Sequence, residues 1–169
     1  MTKHEARKIV YEQRKLLDYT LISKLGIKQI IDSGIINSKN NIAIYYPLQW
    51  EINLLELINH YPNKKFYFPA IKHQLEFREF KGFESFVDGP FHTKEPNTKS
   101  VPLDMIDIIF IPCVAISDTK QRLGYGKGYY DKALKDYQGI KVGICPSIFQ
   151  NMKIEMEEYD IKLDLLIKE

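Results

Sequence analysis

Cysteine is scarce in this sequence, long apolar runs are absent, and neither sign of charge dominates. Only two of the 169 residues are cysteines, Cys113 and Cys145, which are too few and too far apart for a disulfide scaffold or a zinc knuckle. The formal net charge is +2, from 24 basic and 22 acidic side chains, so no global field favours nucleic acid or a membrane surface. Any polyanion site is therefore expected to be local.

The apolar segments are also short and interrupted. Ile106 to Val114 contains Asp and Pro and is too short to span a bilayer, and the charged segment Met1 to Ala6 is not followed by the apolar core of a secretory signal. These features predict a cytoplasmic protein with reduced thiols and no membrane partner. Length and a 44% hydrophobic content predict a single domain over residues 1–169.

Apolar residues switch between helical and strand spacing along the chain. Helical spacing predicts helices over 3–17, from a Thr20 N-cap to 33, over 52–60 and over 129–137. Short β-rich runs predict strands over 42–46, 65–68, 75–80, 106–112, 141–145 and 163–167, with 90–102 a surface loop. This order predicts a three-layer α/β/α sandwich with a mostly parallel sheet and an inserted antiparallel hairpin.

The most informative segment is Arg122-Leu123-Gly124-Tyr125-Gly126-Lys127-Gly128-Tyr129-Tyr130-Asp131, which follows a predicted buried strand. Glycines at alternate positions let backbone N–H groups approach an oxyanion, and Arg122 and Lys127 add positive charge. The spacing matches neither the Walker nor the dinucleotide pattern, so the glycines alone fit a simple tight turn equally well. The tyrosines and Asp131 add an aromatic platform and a carboxylate suited to Mg²⁺, which favours a phosphate site.

Pro112 and this decapeptide resemble the hallmark of the 5-formyltetrahydrofolate cyclo-ligases, also called methenyltetrahydrofolate synthetases. That hallmark is a strand ending in Pro, a loop, and Arg-Leu-Gly-x-Gly-Lys/Gly-Gly-Tyr-Tyr-Asp. The resemblance extends over essentially the whole chain, and its further matches are Lys3-x-x-x-Arg7, Glu51, Glu95-Pro96 and Asp160 with the following Ile161 to Asp164. The sequence departs from the family at Tyr159, where many members have His, at Ser117-Asp118 and at Ala70.

The resemblance implies an ATP- and Mg²⁺-dependent conversion of 5-formyltetrahydrofolate to 5,10-methenyltetrahydrofolate, with release of ADP and phosphate through a phosphorylated formyl (iminophosphate) intermediate. ATP is then a co-substrate and Mg²⁺ the cofactor. We expect small-molecule partners only, no nucleic acid, and a monomer or weak dimer.

The resemblance also implies roles for individual residues. ATP is expected to contact Lys3, Arg7, Arg122, Leu123, Gly124, Tyr125, Gly126, Lys127, Gly128, Tyr129 and Tyr130. Arg7, Arg122 and Lys127 are the expected catalytic residues. Folate is expected at Tyr46, Glu51, Tyr125 and Tyr129, and Mg²⁺ at Asp131 and Asp160.

Each of these residues also has a simpler explanation. Lys3 and Arg7 could be a solvated pair on a surface helix, and Glu51 a residue favoured by a helix dipole. Tyr46 and Trp50 could pack in the core or stack on a pterin ring. The alternative functions are a nucleotide-binding regulatory homologue without cyclo-ligase activity and a sugar-phosphate isomerase-like enzyme. An RNA-binding module is disfavoured by the balanced charge and the lack of ribonucleoprotein aromatic motifs.

Overall fold

The computed structural model describes all 169 residues. Its helices are α1 (Lys3–Gln13), α2 (Tyr19–Ser33), α3 (Leu57–His60) and α4 (Tyr129–Ala133). Its strands are β1 (Asn41–Ala43), β2 (Lys65–Ile71), β3 (Leu75–Glu79), β4 (Phe86–Asp88), β5 (Lys94–Pro96), β6 (Ser100–Val101), β7 (Ile108–Pro112), β8 (Ala115–Ile116), β9 (Arg122–Leu123), β10 (Ile140–Ile144) and β11 (Leu165–Leu166). None of the helices has the length and hydropathy needed to cross a bilayer.

Seven strands form the main sheet in the order β11-β10-β7-β1-β2-β3-β6. The strands from β11 to β2 are parallel to their neighbours, whereas β3 runs antiparallel to both β2 and β6. Two short antiparallel ribbons, β4–β5 and β8–β9, lie outside this sheet. The predicted α/β class, with a mostly parallel sheet and an antiparallel insertion, is confirmed.

Both faces of the sheet are covered, because neighbouring residues of the central strand β7 belong to different hydrophobic clusters. Ile108 packs in a cluster that includes Ile30 of α2, and Ile109 packs in one that includes Ala6 and Val10 of α1. The sheet is therefore the middle layer of three. Burial on both faces also explains why β7 reads as an unbroken apolar run.

The second helix begins earlier than the sequence predicts. Its N-cap is Asp18, whose carboxylate accepts the Leu21 N–H at 3.1 Å, so the predicted Thr20 cap is wrong. Asp and Thr are both good caps, and Asp18 takes the role because it precedes the first helical turn. Gly34 ends the helix as predicted, in the left-handed conformation with φ of 69°.

The last two predicted helices, over 52–60 and 129–137, are too long. The segment before α3 does not become helical because two side chains bind its backbone. Ser23 Oγ, from α2, accepts the Asn53 N–H, and Asn53 Oδ1 accepts the Leu55 N–H. The helix after the glycine segment ends at Ala133. At five residues it is too short for a strong dipole, so anion binding there depends on loop N–H groups and side-chain charge.

Strand β2 continues through Pro69 to Ile71, beyond the predicted end at Phe68. Proline is tolerated in this strand because β1 pairs with β2 only as far as Tyr67. Pro69 lies beyond that pairing, so its missing N–H removes no hydrogen bond between β1 and β2. The extension matters because it carries Pro69 and Ile71 into the wall of the candidate site.

The segment 90–102 is more ordered than a surface loop. It contains β5 and β6, and it buries Glu95. The β4–β5 ribbon is anchored by an aromatic cluster in which Phe86 packs on Phe68 at 5.0 Å and on Tyr46 at 5.7 Å between ring centroids. This cluster fixes the turn between β4 and β5 beside the candidate site.

Candidate active site

A cleft of about 360 Å³ opens where the parallel strands β1, β2 and β7 end at their carboxyl edge, as expected for a ligand site in an open α/β sheet. Its walls come from the segments after β1, at the end of β2, before β5 and after β9. The predicted site residues that line it are Tyr46, Glu51, Arg122, Tyr125, Lys127, Gly128, Tyr129 and Tyr130. Segments distant in the chain thus meet around one cavity.

We define residues 122–130 as the glycine loop. Its first residue, Arg122, has a buried side chain that packs beneath the loop backbone. Only 6% of Arg122 is exposed, its Nε donates to the Pro112 carbonyl at 2.9 Å, and its guanidinium lies over the Tyr130 ring at 4.7 Å. A Cβ at Gly124 would collide with that guanidinium, so a larger residue at this position would require Arg122 to move. The charge of Arg122 is therefore fixed beneath the loop.

Arg7 holds the same loop from α1. Its Nε donates to the Gly124 carbonyl at 2.8 Å, and its guanidinium carbon lies 3.7 Å from where a Gly126 Cβ would be. Gly126 and Gly128 have φ of 101° and 72°, left-handed conformations in which a side chain would be strained. Arg7 from α1 and Arg122 at the start of the loop thus both lie against a backbone that needs glycine.

The free cation of the loop, Lys127, lies against an aromatic ring. The Lys127 ammonium lies 5.3 Å from the centroid of the Phe91 ring, and Phe91 lies 6.2 Å from the Tyr129 ring. Phe91 has φ of 59° and His92 φ of 63°, so a strained turn presents Phe91 to the glycine loop. This contact joins the β4–β5 turn to the loop at the cleft.

Glu51 is a half-buried residue whose carboxyl group lies at the cleft. One carboxylate oxygen accepts the Leu48 N–H at 2.8 Å, and the other accepts the Tyr125 hydroxyl at 3.4 Å. Burial raises the pKa of Glu51, although the Leu48 hydrogen bond and the charge of Arg122 oppose that shift. The protein itself therefore occupies both oxygens of this carboxylate.

Lys3 does not line the cleft; it forms an ion cluster with the C-terminal segment. Its ammonium lies 2.8 and 2.6 Å from the two carboxylate oxygens of Asp160 and also pairs with Glu157. Desolvation opposes protonation of Lys3, but hydrogen bonds to Asp160 and Glu157 outweigh it and raise the pKa of Lys3. Exposed Tyr159 covers the ammonium at 5.3 Å, where the resemblance leads one to expect His.

The two proposed metal ligands, Asp131 and Asp160, already have protein partners. Asp131 Oδ1 accepts the Ile161 N–H at 2.9 Å, and Asp160 accepts the Glu157 N–H at 2.7 Å in addition to Lys3. No group of three or more His, Cys, Asp or Glu side chains is arranged to hold a metal. Mg²⁺ often uses one or two carboxylates together with water and phosphate oxygens, so each of these aspartates would be chemically suited to it. The cation that Asp160 binds in the structure is the Lys3 ammonium.

Several predicted residues lie outside the cleft. Leu123 is buried in the core, so only its backbone remains available to a ligand. Trp50 stacks on the Arg14 guanidinium at 4.3 Å rather than facing the cleft. Cys113 and Cys145 are free thiols, and burial raises the pKa of Cys113 to about 11, which suits the predicted inert role.

Sequence reasoning missed the wall formed by Ile71, Phe91, Thr93 and Lys94. These residues sit in a predicted loop and beyond a predicted strand end, so their patterns carried no signal for a site. The one available signal was Glu95-Pro96, noted only as a family match; Glu95 also lines the cleft.

Fold and site together define an α/β protein with a cationic glycine loop beside an aromatic cleft. Residues 5–169 match the model of the 5-formyltetrahydrofolate cyclo-ligase family. The chain is 34% identical over 140 residues to the 5-formyltetrahydrofolate cyclo-ligase of Haemophilus influenzae, covering 75% of each chain. It is 29% identical to that of Mycoplasma pneumoniae, covering 100% of this chain and 99% of the relative.

A solved structure gives the same result. The 5,10-methenyltetrahydrofolate synthetase of Aquifex aeolicus matches with a TM-score of 0.85 and 28% identity, over 99% of this chain and 90% of that one. The chain therefore belongs to the 5-formyltetrahydrofolate cyclo-ligase family, which confirms the resemblance seen in the sequence.

Proposed function

We propose that this protein is a cytoplasmic, single-domain enzyme that converts 5-formyltetrahydrofolate to 5,10-methenyltetrahydrofolate with ATP and Mg²⁺, releasing ADP and phosphate. The relatives that it matches are named for this activity. The observation that carries the proposal is the glycine loop, held between Arg7 and Arg122 at the edge of an aromatic cleft. Its partners are then small molecules, and the working unit is a monomer or weak dimer.

The chemistry explains why a phosphate site is needed. An amide oxygen is a poor leaving group, so the formyl oxygen must first be activated before the second folate amine can close the ring. In the proposed reaction that oxygen attacks the γ-phosphorus of ATP and ADP leaves. The amine then attacks the formyl carbon of the resulting iminophosphate, the carbon–oxygen bond breaks, and phosphate departs with loss of the amine proton.

The protein's part in such a reaction is to position the reactants and stabilise negative charge. Arg122 is suited to this because burial and the Pro112 carbonyl fix its guanidinium before any ligand arrives. Lys127 has no carboxylate partner, so its charge is available to phosphate oxygens. In the proposal Arg7 and the loop N–H groups complete the contacts to the triphosphate, and Lys3 supplies a further cation.

The remaining wall residues are proposed to hold the folate. Tyr46, Tyr125 and Tyr129 offer ring faces and hydroxyls, and Glu51 is a carboxylate at the same cleft. Phe91 adds a further ring 6.2 Å from Tyr129, so a planar heterocycle could pack against both rings.

Asp131 and Asp160 are the proposed Mg²⁺ ligands. When bound, Mg²⁺ would offset the negative charge of the phosphates. For Asp160 to act in this way, Lys3 must leave its carboxylate. Such a move would free the Lys3 ammonium for the phosphates, so one exchange of partners would serve both roles.

The test is to follow the absorbance of methenyltetrahydrofolate after mixing protein, ATP, Mg²⁺ and 5-formyltetrahydrofolate. Product is expected only when all four are present. Nucleotide binding without product would favour the regulatory alternative, and folded protein that neither binds nucleotide nor forms product would refute the proposal.

A further inference from the structure

The carboxylates of Glu51 and Glu95 both line the cleft, but they differ in how many of their oxygens accept hydrogen bonds from the protein. Both oxygens of Glu51 accept hydrogen bonds from the protein. Glu95 is more enclosed than Glu51, with 7% of the residue exposed, and its Oε2 accepts the Ile71 N–H at 3.0 Å. Its Oε1 has no hydrogen-bond partner: the Arg78 Nη1 lies 3.9 Å away, too far for a hydrogen bond.

Arg78 is committed to other acceptors. Its Nε donates to Glu76 at 3.2 Å, and its Nη1 donates to the Pro96 carbonyl at 2.9 Å. Glu95 has little freedom to approach it, because Glu95 lies in β5 opposite Val87 and its Oε2 is held by Ile71. The side chain therefore presents to the cleft a carboxylate oxygen that has no hydrogen-bond partner in the protein, and an N–H donor of a ligand can complete it.

The surroundings indicate which part of a ligand belongs there. Glu95 shares the cleft wall with apolar Pro69, Ile71 and Leu75, whereas Arg122 and Lys127 lie on the glycine-loop side. A carboxylate repels phosphate and favours N–H donors, and apolar neighbours favour a flat ring. The 2-amino group and adjacent ring N–H of a reduced pteridine supply both features in one edge.

We propose that Oε1 of Glu95 accepts a hydrogen bond from the 2-amino and ring N–H edge of the substrate's pteridine, making Glu95 a residue that determines specificity. This inference rests on the proposed function and deepens it. Glu95 then distinguishes a 2-amino-4-oxo ring from analogues without those donors. The amino group of adenine offers the same kind of N–H donor. Measuring the affinities for folate and for ADP separately distinguishes the two ligands.

The first test is Glu95→Gln, whose amide oxygen can still accept the Ile71 N–H. Calorimetry is expected to show affinity for 5-formyltetrahydrofolate reduced roughly ten- to a hundredfold, as for loss of a charged hydrogen bond, with affinity for ADP unchanged. Glu76→Gln is the matched control, because Glu76 shares Arg78 but does not line the cleft. An equal loss in both variants, or a loss of ADP affinity alone, would overturn the inference.

The second test changes the ligand. The 2-desamino-2-methyl analogue of 5-formyltetrahydrofolate should bind wild-type protein more weakly than the substrate does, whereas Glu95→Gln should hardly discriminate between the two. If Glu95→Gln does not fold, Glu95→Asp, which keeps the charge but shortens the side chain, should discriminate less than wild type. If the folded variant discriminates between the substrate and the analogue as strongly as wild type does, the inference is overturned and the proposed function is unaffected. If wild-type protein forms no product, the proposed function itself is refuted.

Discussion

The ammonium of Lys3 and the carboxylate of Asp160 lie in hydrogen-bonding contact, at 2.8 Å to one oxygen and 2.6 Å to the other, although 157 residues separate them. This ion pair fastens the first helix to the C-terminal segment. It also pairs the lysine that is expected to contact the phosphates of ATP with an aspartate that is expected to bind Mg²⁺. In the proposed function, Lys3 and the metal compete for one carboxylate.

Replacing Lys3 with Met should destabilise the protein, because it leaves Asp160 buried without its counter-ion. We expect a loss of about 2 kcal/mol in the free energy of unfolding, measured by urea denaturation. Adding Asp160→Asn should recover part of that loss. Lys28→Met, which breaks an exposed pair with Asp32, should cost about 0.5 kcal/mol or less; equal losses in both variants would contradict the role assigned to Lys3.

Replacing Gly124 with Ala should disturb the glycine loop, because the added methyl group collides with the Arg122 guanidinium. We expect turnover to fall at least about tenfold and nucleotide affinity to weaken, the scale expected when catalytic groups are misplaced. Gly26→Ala is the control, since its methyl group would lie at an ordinary 3.7 Å from Ile52 and alanine favours a helix. Wild-type turnover in Gly124→Ala would show that the loop tolerates displacement of Arg122.

Replacing Lys127 with Ala should lower turnover strongly with little change in thermal unfolding, because the ammonium forms no ion pair within the protein. A reduction of about a hundredfold or more is expected for a charge that stabilises phosphoryl transfer. The assay is product absorbance at saturating folate over a range of ATP concentrations. Lys99→Ala, which removes an exposed lysine away from the cleft, should behave like wild type.

Replacing Asp131 with Asn should raise the Mg²⁺ concentration needed for half-maximal turnover. The amide oxygen can still accept the Ile161 N–H, so the fold should be retained while the negative charge is lost. Titration of Mg²⁺ at fixed ATP measures the effect, and circular dichroism checks the fold. An unchanged Mg²⁺ requirement would exclude Asp131 as a metal ligand.

Glu51 should make stability depend on pH. Burial raises the pKa of Glu51 in the folded state, so the folded protein binds this proton more tightly than the unfolded chain does. That contribution is present below the ordinary carboxyl pKa and is lost as pH rises through the raised value. Glu51→Gln should therefore gain stability relative to wild type as pH increases from 4 to 8.

Melting temperatures of wild type and Glu51→Gln across that pH range test the expectation. Glu84→Gln, at an exposed position, should show no such trend. A stability difference that is flat with pH would mean that Glu51 ionises as readily in the folded state as in the unfolded chain.

The sequence by itself determined the α/β class, the buried central strand and the family, because these depend on local periodicity and on one contiguous motif. The decapeptide from Arg122 to Asp131 is enough to locate the glycine loop, whose glycines meet steric demands of the backbone itself. The helix lengths were less predictable, since hydrogen bonds such as that from Asn53 to Ser23 join residues far apart in the chain.

Only the tertiary structure decided which charges stay free and which are paired. Lys3 and Lys127 are equivalent cations in the sequence, yet Asp160 and Glu157 hold the first while the second lies against an aromatic ring. Likewise Glu51 and Glu95 are both carboxylates of the cleft, and only the positions of Leu48, Tyr125 and Ile71 distinguish a satisfied acceptor from a free one. The near-balance of basic and acidic residues therefore left the local charge of the site undetermined, because electrostatic pairing depends on distances that folding sets.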